Sequence, residues 1–173
     1  MAENPRAAPV AAPLVLLEGP VDPAWIDRND HIGIRGYADA LAQGSGYFLR
    51  HLKLNFDEAH HEGSTVYSIR WHMSFVREVR KDAMLRYTVQ LLDFNEKTLH
   101  YLVAMHHAGE GYLAATSEYL EAHVLLATRR TAPMPPDRLA RVEAVWATHK
   151  ALPWPEGAGQ GIAIRRGGRR GAK

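Results

Sequence analysis

The strongest periodicity in the chain is helical and covers residues 34–52, where apolar side chains recur every three or four positions. This stripe contains Ile34, Tyr37, Ala38, Leu41, Ser45, Phe48, Leu49 and Leu52. A polar segment, Asp-Arg-Asn-Asp-His at residues 27–31, precedes it and is called the elbow below. The pattern predicts one long core helix. Its two internal glycines, Gly44 and Gly46, either allow close packing on a sheet or leave room for a ligand.

Runs with strand character lie on both sides of this helix. They are predicted over residues 14–21, 65–76, 84–92, 99–107 and 112–126. In the second run, alternation with period two places one set of side chains on a common face. That set is Tyr67, Ile69, Trp71, Met73 and Phe75. The last four runs have short polar connections, which favour an antiparallel meander because a parallel crossover needs a dozen or more residues.

The remaining segments complete an α+β domain, with one helix lying across one antiparallel sheet. Residues 53–63 carry mixed charge and are predicted to form a loop. A second helix is predicted after residue 135, with its apolar stripe at Leu139, Val142, Val145, Trp146 and His149. The expected organisation is a flexible N-terminus at 1–13, a main domain at 14–130, a helical extension at 131–155 and a flexible basic tail at 156–173.

Composition excludes several classes of function. The chain of 173 residues has no cysteine, so disulfides and thiolate chemistry are ruled out. Five of its 21 Lys and Arg residues fall in the last nine positions, and the rest of the chain has 16 basic against 19 acidic residues. A nucleic-acid-binding surface is therefore not expected. No apolar run reaches the roughly 18 residues of a membrane helix. The N-terminus lacks the pattern of a signal peptide, and a cytoplasmic location is expected.

The elbow carries the residue types that catalysis needs. Asp27, Asn29 and His31 alternate, so an extended backbone would direct them to one side. Free amides at the start of the next helix could stabilise an oxyanion beside a carboxylate nucleophile or base. The alternative is that these residues only cap a helix and form a turn. The ten histidines show no metal-binding spacing, and no metal site is expected. Among them, His72 and His100 either line a ligand pocket or serve structure.

The segment Trp-Ile-Asp-Arg-Asn-Asp-His-Ile at residues 25–32, followed by Tyr37, resembles the W-x-D-x-N-G-H signature of hotdog-fold acyl-CoA thioesterases related to 4-hydroxybenzoyl-CoA thioesterase. The resemblance implies a hotdog fold, in which an antiparallel sheet of about five strands wraps around one long helix. It implies that Asp27 acts as nucleophile or general base on a thioester. It also implies that main-chain amides at Ile32, Gly33, Ile34 and Arg35 polarise the carbonyl, while Asn29 and His31 hold the elbow.

The same resemblance implies an acyl-CoA substrate, no separate cofactor, and a homodimer or a dimer of dimers. Two positions depart from the family pattern. Asp30 replaces a glycine, at a position expected to need a left-handed backbone. Gln43 stands where many relatives have an acid on the central helix. Since Gln cannot act as a base, Asp27 would act nearly alone, with Gln43 orienting water or the carbonyl by hydrogen bonds.

Three further segments are similar to the betainyl-CoA thioesterases of bacterial carnitine breakdown. They are IRWHMSFVREV, EKTLHYLVAMHH and the stretch from residue 132 to 159. A betainyl group carries a trimethylammonium cation, which aromatic rings such as Trp71 or Tyr67 could bind by cation–π attraction. The basic residues Arg77, Arg80 and Lys81 could contact coenzyme A phosphates or could simply be solvated.

Two alternative functions remain open from the sequence. One is a hotdog dehydratase or hydratase, in which His31 would work with Asp39 on the helix. The other is a non-catalytic protein that binds acyl-CoA without hydrolysing it.

Overall fold

The computed structural model describes residues 12–159, and the predictions for residues 1–11 and 160–173 lie outside them. The described strands are β1 (Leu14–Pro20), β2 (Ser64–Phe75), β3 (Met84–Phe94), β4 (Thr98–His107), β5 (Leu113–Leu125) and β6 (Arg130–Thr131). The α-helices are α1 (Ile34–His51), α2 (Phe56–His61) and α3 (Pro136–His149). The predicted central helix, the five strands and the C-terminal helix are thus confirmed.

The strands form one antiparallel sheet in the order β1-β3-β4-β5-β2, with β6 added beside β5. The predicted four-stranded meander is therefore wrong in one respect, because β2 pairs with β5 and not with β3. The reason is the segment between β2 and β3, which does not turn back on itself. Its buried Val79 accepts a hydrogen bond from the amide of Ile32 at 2.8 Å, which ties the segment to the elbow.

Helix α1 crosses one face of this sheet and buries its apolar stripe against β3, β4 and β5. At Gly44 an added Cβ atom would lie 2.8 Å from Val103 Cγ1 and 3.2 Å from Tyr87 Cδ1. Close packing is thus the reason for this glycine, as one of the two sequence interpretations states. Gly46, on the open side of the helix, has no atom within 4 Å of the same position. The arrangement is the predicted hotdog fold, with the sheet curled around one long helix.

A β-bulge at Ile69 changes which side chains of β2 face the helix. Before the bulge Tyr67 lies opposite Ala122, and after it Trp71 lies opposite Tyr119. Because one extra residue shifts the alternation, Tyr67 and Trp71 point to opposite faces of the sheet. The expectation that they share one face is wrong.

The predicted loop at 53–63 contains the short helix α2. Asn55 stands at its N-cap, and Asp57 and Glu58 occupy its first turn, where carboxylates complement the helix dipole. Its buried residue, Ala59, anchors it beside β2. Mixed charge at this position reflects a half-exposed helix and not a loop.

Helix α3 packs beside β3 and contributes to the same core as α1. Its buried residues are Val142, Val145 and His149, and partly buried Leu139 and Trp146 pack against them, which confirms the predicted stripe. The chain then continues over the outer face of the sheet, where the amide of Gly159 donates to Glu118 Oε1 at 2.9 Å. None of the helices between residues 12 and 159 is both long and apolar enough to span a membrane.

Candidate active site

The elbow is a compact turn closed by main-chain hydrogen bonds. The amide of Asp27 donates to the carbonyl of His31 at 2.9 Å, and the amide of Asp30 donates to the carbonyl of Asp27 at 3.1 Å. Asp30 has φ of 65°, so the left-handed backbone expected at this position is confirmed. Its carboxylate lies 3.3 Å from Lys81 Nζ, which comes from the segment that follows β2.

Within the elbow, Asn29 and His31 both contact the Asp27 carboxylate. The Asn29 amide donates to Asp27 Oδ1 at 2.7 Å, and its side-chain Nδ2 lies 3.4 Å from Oδ2. His31 Nδ1 lies 3.4 Å from Asp27 Oδ1 and 3.3 Å from the carbonyl oxygen of Asn29. The side chains of Asp27 and His31 are about one-third exposed. The carboxylate is therefore held in a fixed orientation while remaining open to a ligand.

The first turn of α1 lies directly beside this carboxylate. Of the four amides expected to polarise a carbonyl, that of Ile32 donates to Val79 and that of Gly33 donates to the carbonyl of Trp25 at 3.0 Å. The amides of Ile34 and Arg35 are in the first helical turn, where no intrahelical acceptor exists. These two donors stand at the positive end of the helix dipole.

Close approach of the helix to Asp27 requires a glycine at residue 33. A Cβ atom there would lie 3.1 Å from Asp27 Cβ and 3.4 Å from Oδ2. The backbone of Gly33 has φ of −77°, which any residue can adopt, so space and not conformation selects glycine.

Two clefts meet at Asp27. The first, which we call the His31 cleft, has a volume of about 370 Å³ and is lined by Asp27, His31, Ile32, Gly33, Ile34, Tyr37, Phe75, Val76, Arg77 and Glu78. The second, the Asp39 cleft, has a volume of about 400 Å³ and lies on the other side of the helix start. Asp27, Gly33 and Ile34 line both. His31 lines only the first of these clefts and Asp39 only the second, so the His–Asp pair of the hydratase alternative does not share one cleft of this chain.

A third cleft adjoins the first and is lined by three Arg and Lys side chains together with the acids Glu78, Asp82 and Glu110. This Arg80 cleft has a volume of about 530 Å³ and shares Arg77 and Glu78 with the His31 cleft. Arg80 and Lys81 also line it. The structure thus places the three basic residues considered for coenzyme A next to the elbow.

Three predicted site residues lie away from the His31 cleft. Gln43 is exposed on α1, nine residues and about 14 Å along the helix axis from Ile34. Trp71 lies on the helix-facing side of β2, where it stacks on Tyr119 with ring centroids 5.8 Å apart. His72 lies on the opposite side of β2, across from Glu118.

The other histidine considered for a pocket, His100, is part of the protein interior. Its Nε2 atom lies 2.6 Å from Glu118 Oε1, and both side chains are almost fully buried on the outer face of the sheet. In residues 12–159, no three His, Cys, Asp or Glu side chains are arranged to hold a metal ion.

Sequence reasoning missed two residues that line the same cleft as Asp27, Phe75 and Glu78. Both come from the end of β2 and the segment after it, more than 40 residues from the elbow. The only local signal was the predicted end of a strand followed by charged residues, which does not reveal that this segment returns to the helix start.

Comparison with known proteins identifies the family of this chain. Residues 21–142 match the family model described as the thioesterase-like superfamily. The chain is 34% identical over 151 residues to the betainyl-CoA thioesterase of Pseudomonas aeruginosa, covering 87% of this chain and 95% of that protein. It is 28% identical to the L-carnitine dehydrogenase/betainyl-CoA thioesterase of Rhizobium meliloti, of which it spans 32%.

Solved structures show the same fold at lower identity. A Staphylococcus aureus protein in complex with CoA superposes with a TM-score of 0.80 at 21% identity, covering 92% of this chain and 100% of that one. A 1,4-dihydroxy-2-naphthoyl-CoA thioesterase from Synechocystis superposes with a TM-score of 0.66 at 13% identity, covering 73% of this chain and 93% of that one. The chain therefore belongs to the thioesterase-like superfamily and is a thioester hydrolase with the hotdog fold.

Proposed function

We propose that this acyl-CoA thioesterase hydrolyses betainyl-CoA, releasing the trimethylammonium acid and free CoA. The observation that carries the proposal is the Asp27 carboxylate, held by Asn29 and His31 beside the helix start. The named activity of the 34% identical relative, which the chain matches over nearly its whole length, supports the choice of acyl group.

Asp27 would act in one of two ways, and both use the same neighbours. As a nucleophile, a carboxylate oxygen bonds to the thioester carbon, the carbon–sulfur bond breaks, and water then hydrolyses the mixed anhydride. As a general base, Asp27 takes a proton from water while the water oxygen attacks that carbon and CoA leaves. In both cases the carbonyl oxygen becomes negative, and the free amides of Ile34 and Arg35 would stabilise it.

Coenzyme A would extend from the His31 cleft into the adjoining Arg80 cleft, where Arg77, Arg80 and Lys81 offer positive charge to its phosphates. A homodimer through the exposed edge strand β2 belongs to the same proposal. Phe75 and Val76 at the end of that strand line the His31 cleft, so a second copy along β2 would border the site. A cytoplasmic location stays a prediction.

The test is steady-state hydrolysis of betainyl-CoA, acetyl-CoA and an aromatic acyl-CoA by the wild type, Asp27→Asn and Asp39→Asn. Asparagine has the size of aspartate but can neither attack nor take a proton, so we expect Asp27→Asn to lose at least about 100-fold in kcat. Asp39→Asn serves as the matched control, because it removes an acid of the neighbouring cleft by the same change; its kcat should stay within about twofold.

Undiminished turnover by Asp27→Asn would remove Asp27 from its role. Loss of activity in Asp39→Asn alone would instead support chemistry centred on the Asp39 cleft. Calorimetric binding of these thioesters without hydrolysis by the wild type would favour the non-catalytic alternative.

A further inference from the structure

The open half of the His31 cleft is bounded by two aromatic rings. Tyr37 and Phe75 meet edge to face, with ring centroids 5.2 Å apart and planes inclined by 66°. Tyr37 is almost fully buried, and its hydroxyl donates to the carbonyl of Arg77 at 3.2 Å, which fixes the ring. Phe75 is half exposed, so part of its surface faces the cleft. This is a preformed apolar wall next to Asp27.

The size of the betainyl group determines where its cation must bind. One methylene separates the ammonium nitrogen from the carbonyl carbon, so the two atoms are about 2.5 Å apart, as across any α-carbon. A cation-binding group must therefore lie in the same cleft as Asp27. Trp71 is four residues from Phe75 along β2, a distance of about 13 Å in an extended strand. Tyr67 faces the other side of the sheet. Within one copy of the chain, neither ring suggested by the sequence lines the His31 cleft.

Charge in the His31 cleft also favours a cation. Besides Asp27, the cleft is lined by a second acid, Glu78, which is more than half exposed and whose Oε1 accepts hydrogen bonds from Nε and Nη2 of Arg80 at 3.4 Å. The arginine on the cleft wall, Arg77, places its guanidinium 3.9 Å from the centre of the Tyr112 ring and 3.6 Å from Glu110. Its charge is thus directed into the Arg80 cleft.

We propose that Phe75, Tyr37 and Glu78 form a quaternary-ammonium subsite that selects a cationic acyl group for the reaction at Asp27. This inference rests on the proposed thioesterase function and names the groups that set its specificity. Phe75 supplies the aromatic face, Tyr37 holds that ring in place, and Glu78 supplies the charge. A ring face together with a nearby carboxylate attracts a trimethylammonium group electrostatically, and a neutral group of the same shape gains only the apolar contact.

The test compares betainyl-CoA with 3,3-dimethylbutanoyl-CoA, which has the same shape with carbon in place of the charged nitrogen. The quantity of interest is the preference ratio, kcat/KM for betainyl-CoA divided by kcat/KM for 3,3-dimethylbutanoyl-CoA. Because the cation also activates the adjacent carbonyl, the ratio of the wild type alone does not measure the subsite. The change in this ratio from wild type to variant does. Phe75→Leu keeps an apolar side chain but removes the ring, and Glu78→Gln removes only the charge. Each should lower the ratio by about 3- to 10-fold, the scale of a cation–π or exposed charge contact.

Matched controls are Phe56→Leu and Glu96→Gln, which alter an exposed ring on α2 and an exposed acid that lines neither the His31 cleft nor the Arg80 cleft. Both controls should leave the ratio within about twofold of the wild type. Phe75→Trp retains an aromatic face and should retain most of the preference. A ratio that is unchanged in both Phe75→Leu and Glu78→Gln would overturn the subsite while leaving the thioesterase function intact.

A binding measurement tests the subsite separately from the thioesterase function if neither thioester is hydrolysed. Choline and 3,3-dimethylbutan-1-ol have the same shape and differ in a charged nitrogen against a carbon atom. NMR titration of the wild type should show tighter binding of choline. That difference should be lost in Phe75→Leu. Equal binding of the two probes by the wild type would overturn the subsite independently of any activity.

Discussion

Single residues decide how closely the elbow and the helix start can approach. Gly33 lacks a side chain because Asp27 occupies the space, and Asp30 adopts a left-handed backbone that would suit glycine better. At residue 33 the requirement is for space, and at residue 30 it is for a left-handed backbone. Each requirement can be tested by a single substitution.

Gly33→Ala should impair catalysis without unfolding the protein. The new methyl group would lie 3.1 Å from Asp27 Cβ, so the carboxylate has to move by a few tenths of an ångström. Because a shift of about 1 Å can cost 100-fold in rate, we expect a loss of roughly tenfold in kcat/KM. The control is Gly19→Ala on β1, where no atom lies within 4 Å of the added group. Equal activity of both variants would show that the spacing between Asp27 and the helix is not critical.

Asp30→Gly should stabilise the protein, because glycine adopts φ of 65° without the steric cost that any other residue pays. The expected gain in the free energy of unfolding is about 0.5 kcal/mol, and Asp30→Val should lose about 1–2 kcal/mol. Lys81→Ala controls for the exposed ion pair with Asp30, which contributes little. Urea unfolding measures all three, and a less stable Asp30→Gly would contradict the explanation.

At the scale of elements, the two glycines of α1 provide an internal comparison. Gly44→Ala would place a methyl group 2.8 Å from Val103 Cγ1 and should cost about 1–3 kcal/mol of stability through overpacking. Gly46→Ala meets no atom within 4 Å and should gain up to about 1 kcal/mol from helix propensity. Thermal unfolding of the two variants should therefore shift in opposite directions. Shifts of the same sign would mean that α1 does not pack on the sheet at Gly44 as described.

Helices and strands whose apolar residues follow a regular spacing could be predicted from the sequence, but the pairing of the strands could not. Helix α1 and the strands follow from apolar spacing, but no local signal marks the bulge at Ile69, which reverses the faces of Tyr67 and Trp71. The pairing of β2 with β5 and the hydrogen bond from Ile32 to Val79 both join residues far apart in the chain, so no local pattern reveals them. The site divides in the same way: Asp27, Asn29 and His31 are adjacent in sequence, whereas Phe75 and Glu78 reach them through tertiary structure.

For the whole molecule, a chain of hydrogen bonds, buried except at its end on β2, connects the central helix to the edge strand. Ser45 on α1 donates to the Tyr101 hydroxyl at 2.7 Å, which donates to Glu121 Oε2 at 2.7 Å, and Ser68 on β2 donates to Oε1 at 2.8 Å. Burial raises the pKa of the Glu121 carboxyl above its usual range, and the hydrogen bonds from Tyr101 and Ser68 oppose this only in part.

The raised pKa of Glu121 predicts a pH dependence of stability. The folded state holds this proton more tightly than the unfolded state, so the contribution is present below the ordinary carboxyl pKa and is lost as the pH rises through the folded pKa. Glu121→Gln cannot ionise, so the free energy of unfolding of the variant relative to wild type should increase from pH 4 to pH 8. Glu96→Gln, an exposed control, should show no such trend. A difference that is independent of pH would contradict the burial of a charged Glu121.

The two edges of the sheet differ in a way that predicts how copies of the chain associate. Edge strand β2 exposes the large apolar side chains of Ile69 and Trp71, whereas the opposite edge strand, β1, exposes Val15. An exposed apolar edge is a natural site for a second copy because its unpaired main-chain groups can extend the sheet.

Ile69→Lys should therefore convert a wild-type dimer into a monomer, as measured by size-exclusion chromatography with light scattering. Val15→Lys is the matched control, since Val15 and Ile69 are each 53% exposed, and it should leave the dimer intact. Because the His31 cleft lies at the end of β2, the monomeric variant should also lose kcat/KM. A monomeric wild type, or dissociation by Val15→Lys and not by Ile69→Lys, would contradict association through β2. Retained activity in a monomeric Ile69→Lys would show instead that one copy carries a complete site.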